Sequence, residues 1–350
     1  VPIPLTPGEQ DAYASGRATP AHLDFLGAMS FRTIAAASRL GIFAALADGP
    51  ADAAQVAQRA QTDPHGTELL LSSLVAFGHL SAAGAPPAYA LTEVARRHLL
   101  PGPASYALVV EFWMDNLQHL WANLEETVRT GRPRGDFYAW LEKDPAQRAR
   151  FHAMLARLAG ALAPELRALL DPAPGVSILD VGAGHGSYAA ALLEALPTAA
   201  ATLLDLPGAL EQAGNTLTER GVAGRARCQP WDAATAPEIE GGPYDVALVF
   251  SLLHGFTPAQ NAAILRRVHD ALAPGGRIAV VEQILGAEGA TPSGEAFLRL
   301  FSLNLFHGQG GQVWGQEAIM GWLAAAGFGE ITAYPLVAAP TDQVIIARRR

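Results

Sequence analysis

Two rhythms of apolar and polar residues divide the chain near residue 170. Before that point apolar positions recur every three or four residues, the period of a helix with one buried face. In HLDFLGAMSFRTIAAASRLGIFAALADGP the stripe runs through Leu26, Met29, Ile34, Ala37, Leu40 and Phe43. GPADAAQVAQRAQTDPHGTELLLSSLVAFGHL reads as two short helices parted by a turn over 62–66, with Asp63-Pro64 opening the second. LSAAGAPPAYALTEVARRHLL predicts a hairpin around Gly84 to Pro87, so the order helix, helix, helix, hairpin is that of a winged helix. Longer helices follow over 106–170, and DPAPG at 171–175 reads as a linker.

Beyond the linker, short continuous apolar runs alternate with helical stretches. Strands are expected over 177–181, 201–206, 226–230, 244–251, 277–284, 331–337 and 342–348. Helices are expected near 186–196, 208–221, 258–273 and 315–326. This alternation makes an α/β fold, a mostly parallel sheet covered by helices on both faces.

Composition narrows the function classes. Half the 350 residues are apolar and 16% are charged, enough for a sizeable core. A net charge of −9 argues against nucleic acid or an anionic membrane surface as the main partner. The helix that would read DNA, HGTELLLSSLVAFGHL, has no Lys or Arg to meet phosphates. The single cysteine, Cys228, excludes an intrachain disulfide or a cysteine-only zinc site. Every long apolar run is interrupted, and VPIPLTPGEQ lacks the basic-then-apolar order of a signal peptide, so a soluble cytoplasmic protein is expected.

The candidate chemistry begins at ILDVGAGHGSYAAALLEALP, where the first sheet strand meets a glycine cluster. A dinucleotide loop needs Gly-x-Gly-x-x-Gly, but here Gly182, Gly184 and Gly186 are followed by Ser187. Asp180 would repel a pyrophosphate and favour an ammonium. S-adenosylmethionine carries an ammonium, a sulfonium and a ribose but no phosphate, and it fits this pattern. Asp205, at the tip of the second strand, is placed to accept from ribose hydroxyls, and Asp232, after the third, to receive the adenine amino group. Leu206 and Ser251 complete the expected cofactor set.

At this point the chain resembles the class I S-adenosylmethionine-dependent small-molecule O-methyltransferases with an N-terminal winged-helix dimerisation domain. The resemblance rests on LDVGAGHGSYAAALLEALP, LLDLPGALEQA, YDVALVFSLLHGF, ILRRVHDALAPGGRIAVVEQIL and WLAAAGF, in that order. It implies a Rossmann-like seven-stranded sheet with an antiparallel last strand, and a homodimer. The expected division is a winged-helix dimerisation domain over 1–105, a helical connector lining the substrate pocket over 106–170, and the catalytic domain over 171–350.

His254, in SLLHGF, falls where the family places its catalytic His, and Glu282, in AVVEQIL, matches its first orienting glutamate. A neutral hydroxyl is a poor nucleophile, and an imidazole with pKa near ~6.5 can take its proton as it attacks. Two departures from the pattern stand out. Gly255-Phe256 replaces the family's Asp-Trp, and the second orienting glutamate falls on Val313. The expected acceptor contacts are Trp113, Asn116, Phe151, Met154, His307 and Trp314, whose aromatic share favours a flat, apolar small molecule. No metal is expected. The alternatives are carbon or nitrogen methylation, with or without a metal held by His254 and His307, and a winged-helix regulator that senses S-adenosylmethionine without catalysis.

Overall fold

The computed structural model describes residues 3–102, 104–287 and 291–350. The chain forms two compact units, Val1–His119 and Leu120–Arg350. This boundary differs from the expected one. The 106–170 segment is not one body, because helix Ala107–His119 belongs with the N-terminal unit. There it packs on helix Ala21–Arg39, with Ser38 donating to Glu111 at 2.5 Å and Arg39 paired with Asp115 at 2.7 Å.

Within the N-terminal unit the long apolar stripe is cut at Gly41, whose φ of +72° ends the helix in left-handed backbone. Beyond the break, Ile42, Phe43 and Leu46 enter a core with Val56, Leu71 and Leu74. Before it, Phe25 and Met29 are 59% and 54% exposed. Helices Ala53–Ala60 and Pro64–Ala76 follow, each capped by an aspartate, Asp52 and Asp63. Strands β1 (Leu80–Ala83) and β2 (Ala88–Leu91) then pair as the expected antiparallel hairpin.

The C-terminal unit is built on β3 (Ser177–Val181), β4 (Ala200–Asp205), β5 (Ala226–Pro230), β6 (Tyr244–Phe250), β7 (Leu272–Gln283), β8 (Phe328–Pro335) and β9 (Asp342–Arg349). Their spatial order is β5-β4-β3-β6-β7-β9-β8. β3 to β7 are parallel, and β9 runs antiparallel to both its neighbours. The apolar runs are continuous because both faces of the central strands are covered. One face packs Leu162, Leu166 and Leu193 from helices Pro145–Leu170 and Ser187–Ala195. The other packs Ile264, Leu265, Ile319 and Leu323 from helices Pro258–Ala271 and Gln316–Ala325. Since β3 and β6 are adjacent while the chain turns outward on either side of them, the crevice opens at their carboxyl ends. Asp180, Asp205, the 251–254 turn and Glu282 all lie along that rim. Among the described residues, no helix is long and apolar enough to cross a membrane.

Candidate active site

The glycine loop is held from beneath by β4. Gly182 and Ala183 donate to the Leu204 carbonyl at 2.8 and 3.2 Å, and Gly184 donates to Asp205 Oδ2 at 2.7 Å. Gly182 has a φ of +74°, and a Cβ there would lie 2.8 Å from Leu252, so this glycine lets the loop touch the turn that carries His254. At Gly184 (φ +53°) a Cβ would meet nothing within 4 Å, which leaves that side of the loop open to a ligand. Gly186 caps helix Ser187–Ala195 in left-handed backbone.

The acids around this loop are unequal. Asp180 is 2% exposed, and its Oδ2 has no hydrogen-bond partner among the described residues. Burial, then the charge of Asp205, push its carboxyl up to about 7. An isolated buried carboxylate oxygen is costly unless a donor arrives. The ammonium of S-adenosylmethionine would supply that donor and that charge, so the residues fit the cofactor. Asp205 accepts from Gly184 and Leu206, and burial raises its pKa against those bonds. Asp232 is differently placed. Its two oxygens take the Thr235 hydroxyl at 2.7 Å and the Ala234 amide at 2.9 Å, which hold its pKa down and close its own turn. Leu206 is 45% exposed beside Asp205.

The residue following the second loop glycine is one that the pattern did not single out. His185 is buried, and its Nδ1 accepts from the Ser187 amide at 3.1 Å. Burial drives its pKa down to about 4, so the loop carries no positive charge that would oppose a cationic ligand.

Across the crevice, Ser251 turns the chain out of β6 with a φ of +50°, a conformation that costs a non-glycine residue of order 1–3 kcal/mol. The short 3-10 turn Leu253–Gly255 follows. Glu282, buried at the end of β7, accepts from the Leu252 and Leu253 amides at 2.8 and 2.6 Å through Oε1, and meets His254 Nδ1 at 2.7 Å through Oε2. One carboxylate therefore both builds the turn and orients its imidazole. A carboxylate only accepts, so Nδ1 carries the hydrogen and the lone pair of the neutral ring is on Nε2. Burial pushes the His254 pKa down, but the charge and hydrogen bond of Glu282, with a further contribution from Asp342, outweigh it and leave it raised.

The same turn is braced from three more directions. Asn261 Nδ2 and Trp314 Nε1 donate to the Leu253 carbonyl at 2.9 and 3.1 Å, and the Gln312 amide donates to the His254 carbonyl at 2.9 Å. A Cβ at Gly311 would run into that His254 carbonyl. Trp314, expected as an acceptor contact, spends its indole N–H on the turn and packs edge-on against Trp322 at 5.1 Å. Val313 is buried and apolar, so no second acid stands there. The ring of Phe301 meets His254 edge-on at 5.9 Å and stacks with Phe297 at 5.7 Å and 8°. The sequence pattern singled out neither ring, and their helix, Pro292–Gln309, lies where no helix was expected.

His307 corrects one expectation. It is fully buried, with Nδ1 against the Thr127 hydroxyl at 2.7 Å and Nε2 against the Leu120 carbonyl. Both ring nitrogens are engaged by the chain, so His307 has none to offer a metal or an acceptor. It joins helices Leu124–Thr130 and Pro292–Gln309. Phe151 joins a ring cluster, edge-on to Phe137 at 5.2 Å, and Met154 is half-buried on the same helix, Pro145–Leu170. Trp113 and Asn116 lie on the last helix of the N-terminal unit. Asn116 is fully buried, and among the described residues neither amide atom has a hydrogen-bond partner.

The O-methyltransferase domain family matches residues 121–329, and the O-methyltransferase dimerisation domain family matches 24–101. The chain is 29% identical to the 3-hydroxy-5-methyl-1-naphthoate 3-O-methyltransferase of Streptomyces sahachiroi, over 87% of this chain and 88% of that one. It is 30% identical to the acetylserotonin O-methyltransferase of Bos taurus, over 80% and 83%. Its fold superposes on the solved structure of the mitomycin 7-O-methyltransferase with a TM-score of 0.80, at 28% identity, covering 97% and 99% of the two chains. The chain belongs to the class I S-adenosylmethionine-dependent O-methyltransferases that carry an N-terminal dimerisation domain.

Proposed function

We propose that the protein methylates a hydroxyl of a small, flat aromatic acceptor, with His254 as the general base and Glu282 as the acid that orients it. The 2.7 Å contact between His254 Nδ1 and Glu282 carries this reading. It leaves Nε2 as the basic nitrogen, on a turn that touches the glycine loop through Gly182 and Leu252. When bound, S-adenosylmethionine supplies an electrophilic methyl group on a sulfonium. Asp180 would hold its ammonium, Asp205 its ribose, and the backbone beside Gly184 would border it, with Leu206, Ser251 and Asp232 at the periphery. His254 accepts the hydroxyl proton at Nε2 as the oxygen attacks, and Glu282 stabilises the imidazolium that forms. Base assistance of this kind is worth roughly 10²–10⁴-fold, and holding the reactants together contributes more.

Aromatic acceptors are supported by the Phe297–Phe301 pair beside His254. The named relatives act on a hydroxynaphthoate and on acetylserotonin. A homodimer is supported by the dimerisation-domain match and by the exposed Phe25 and Met29 within it. Labelled methyl transfer to a panel of phenols, catechols, indoles and aromatic keto acids tests the reaction class. Label is expected on oxygen; label on carbon or nitrogen would overturn the proposal.

A further inference from the structure

Between β5 and β6 the chain runs through residues 231–243 without a helix or strand. The segment starts at the ribose acid, because the Trp231 amide donates to the Asp205 carbonyl at 2.9 Å. Asp232 then organises the turn from within. Its side chain takes the Ala234 amide and the Thr235 hydroxyl, and its carbonyl takes the Thr235 and Ala236 amides at 3.2 and 2.8 Å. These bonds give the turn its shape, but they all lie inside it and do not tie its far end to the protein.

That tie comes from Arg267, half-buried on helix Pro258–Ala271. Its Nη2 donates to the Ala233 carbonyl at 2.8 Å, and its Nη1 donates to the Ala236 carbonyl. Nε is held by the Ala263 carbonyl of its own helix at 3.2 Å, so all three guanidinium nitrogens are spent on backbone oxygens. The guanidinium carbon also lies over the Trp231 ring, 5.0 Å from its centroid. Trp231 is buried in the same core cluster as Ile264 and Val268 of that helix. A planar fork that meets two carbonyls and an aromatic face fixes both the place and the tilt of a turn. A lysine ammonium, a point charge on a flexible stem, cannot do both.

We infer that Arg267 is a positioning residue for recognition of the cofactor's base: it holds the 231–236 turn where Asp232 accepts from the adenine amino group. The inference rests on Asp232 as that acceptor. Each Asp232 oxygen has taken one bond from its own turn, and a carboxylate oxygen can accept two. The side chain is therefore not free to swing toward a base. Its reach is set by where the turn stands, which Asp205 fixes at the first residue and Arg267 fixes at the third and sixth.

Equilibrium binding of two probes tests this. S-adenosylhomocysteine carries the amino group, and S-inosylhomocysteine has a carbonyl oxygen in its place. The native protein should bind the adenosyl probe about fivefold more tightly, since a carboxylate has nothing to accept from that oxygen. Arg267→Lys should bring this ratio within about twofold of one, with the inosyl probe bound within a few-fold of native. A merely structural role would weaken both probes alike and leave the ratio unchanged. An unchanged ratio in a folded Arg267→Lys overturns the inference. If that variant does not fold, Arg267→Gln, which can reach one carbonyl at most, takes its place with the same two outcomes. Failure of both to fold would make the guanidinium a requirement of the fold and overturn a role in recognition. A native ratio near one would refute Asp232 as the adenine acceptor, and the inference with it. A fivefold native ratio that persists in Arg267→Lys refutes only the role of Arg267.

Discussion

The two ends of the crevice are built on opposite principles. At the glycine loop, Asp180 is buried with an oxygen that has no hydrogen-bond partner among the described residues. At the 251–254 turn, Glu282, Asn261, Trp314 and Gln312 meet the backbone carbonyls and amides from three separate segments. The first end is electrostatically incomplete until a cation arrives. The second is assembled before any ligand binds. The comparison teaches that donor recognition and base positioning are separable here. Changes at one end should alter affinity, and changes at the other should alter turnover.

The largest separation is expected from Glu282→Gln. The amide nitrogen of the new side chain would donate to Nδ1, move the ring hydrogen to Nε2 and remove the basic nitrogen from the acceptor. Turnover should fall by roughly 10²–10⁴-fold while donor affinity stays within a few-fold, as single-turnover and equilibrium binding would report. A loss confined to donor binding would contradict the division.

Asp180 sharpens the other side. Its carboxyl, pushed up to about 7, is protonated below that pH and cannot pair with an ammonium there. Donor affinity should therefore rise as pH increases from 6 to 8, by isothermal titration. Asp180→Asn should bind roughly 10- to 100-fold more weakly at pH 8 and lose that pH dependence. The smallest effect belongs to Asp232→Ala. That carboxylate is engaged with Thr235 and Ala234, so the variant should lose about 1 kcal/mol of donor affinity, or roughly fivefold.

The contrast also separates what could be read along the chain from what could not. ILDV, VALVF and IAVV are short apolar runs that only a strand covered on both faces explains, and they form β3, β6 and part of β7. β7 nevertheless begins at Leu272, because Leu272 pairs with Tyr244 across an irregularity that a turn-rich LAPGG conceals. Glycine spacing with Asp180 and Asp205 pointed to the donor end, since those residues are close along the chain or end consecutive strands. The base end is a product of distant partners. Glu282 reaches back to the Leu252 amide, and Trp314 to the Leu253 carbonyl, pairings that no local period encodes. His307 shows the same limit. Its partners Thr127 and Leu120 lie far upstream, where nothing in the sequence around residue 307 points to them.

The most direct test of the central claim is single-turnover methyl transfer by His254→Ala beside the native protein, at saturating donor and with one acceptor phenol. The account predicts a rate at least about 10²-fold lower, with donor affinity unchanged within a few-fold. An undiminished rate would mean that proximity alone drives the transfer, and that the His254–Glu282 pair is a feature of the turn and not of the chemistry.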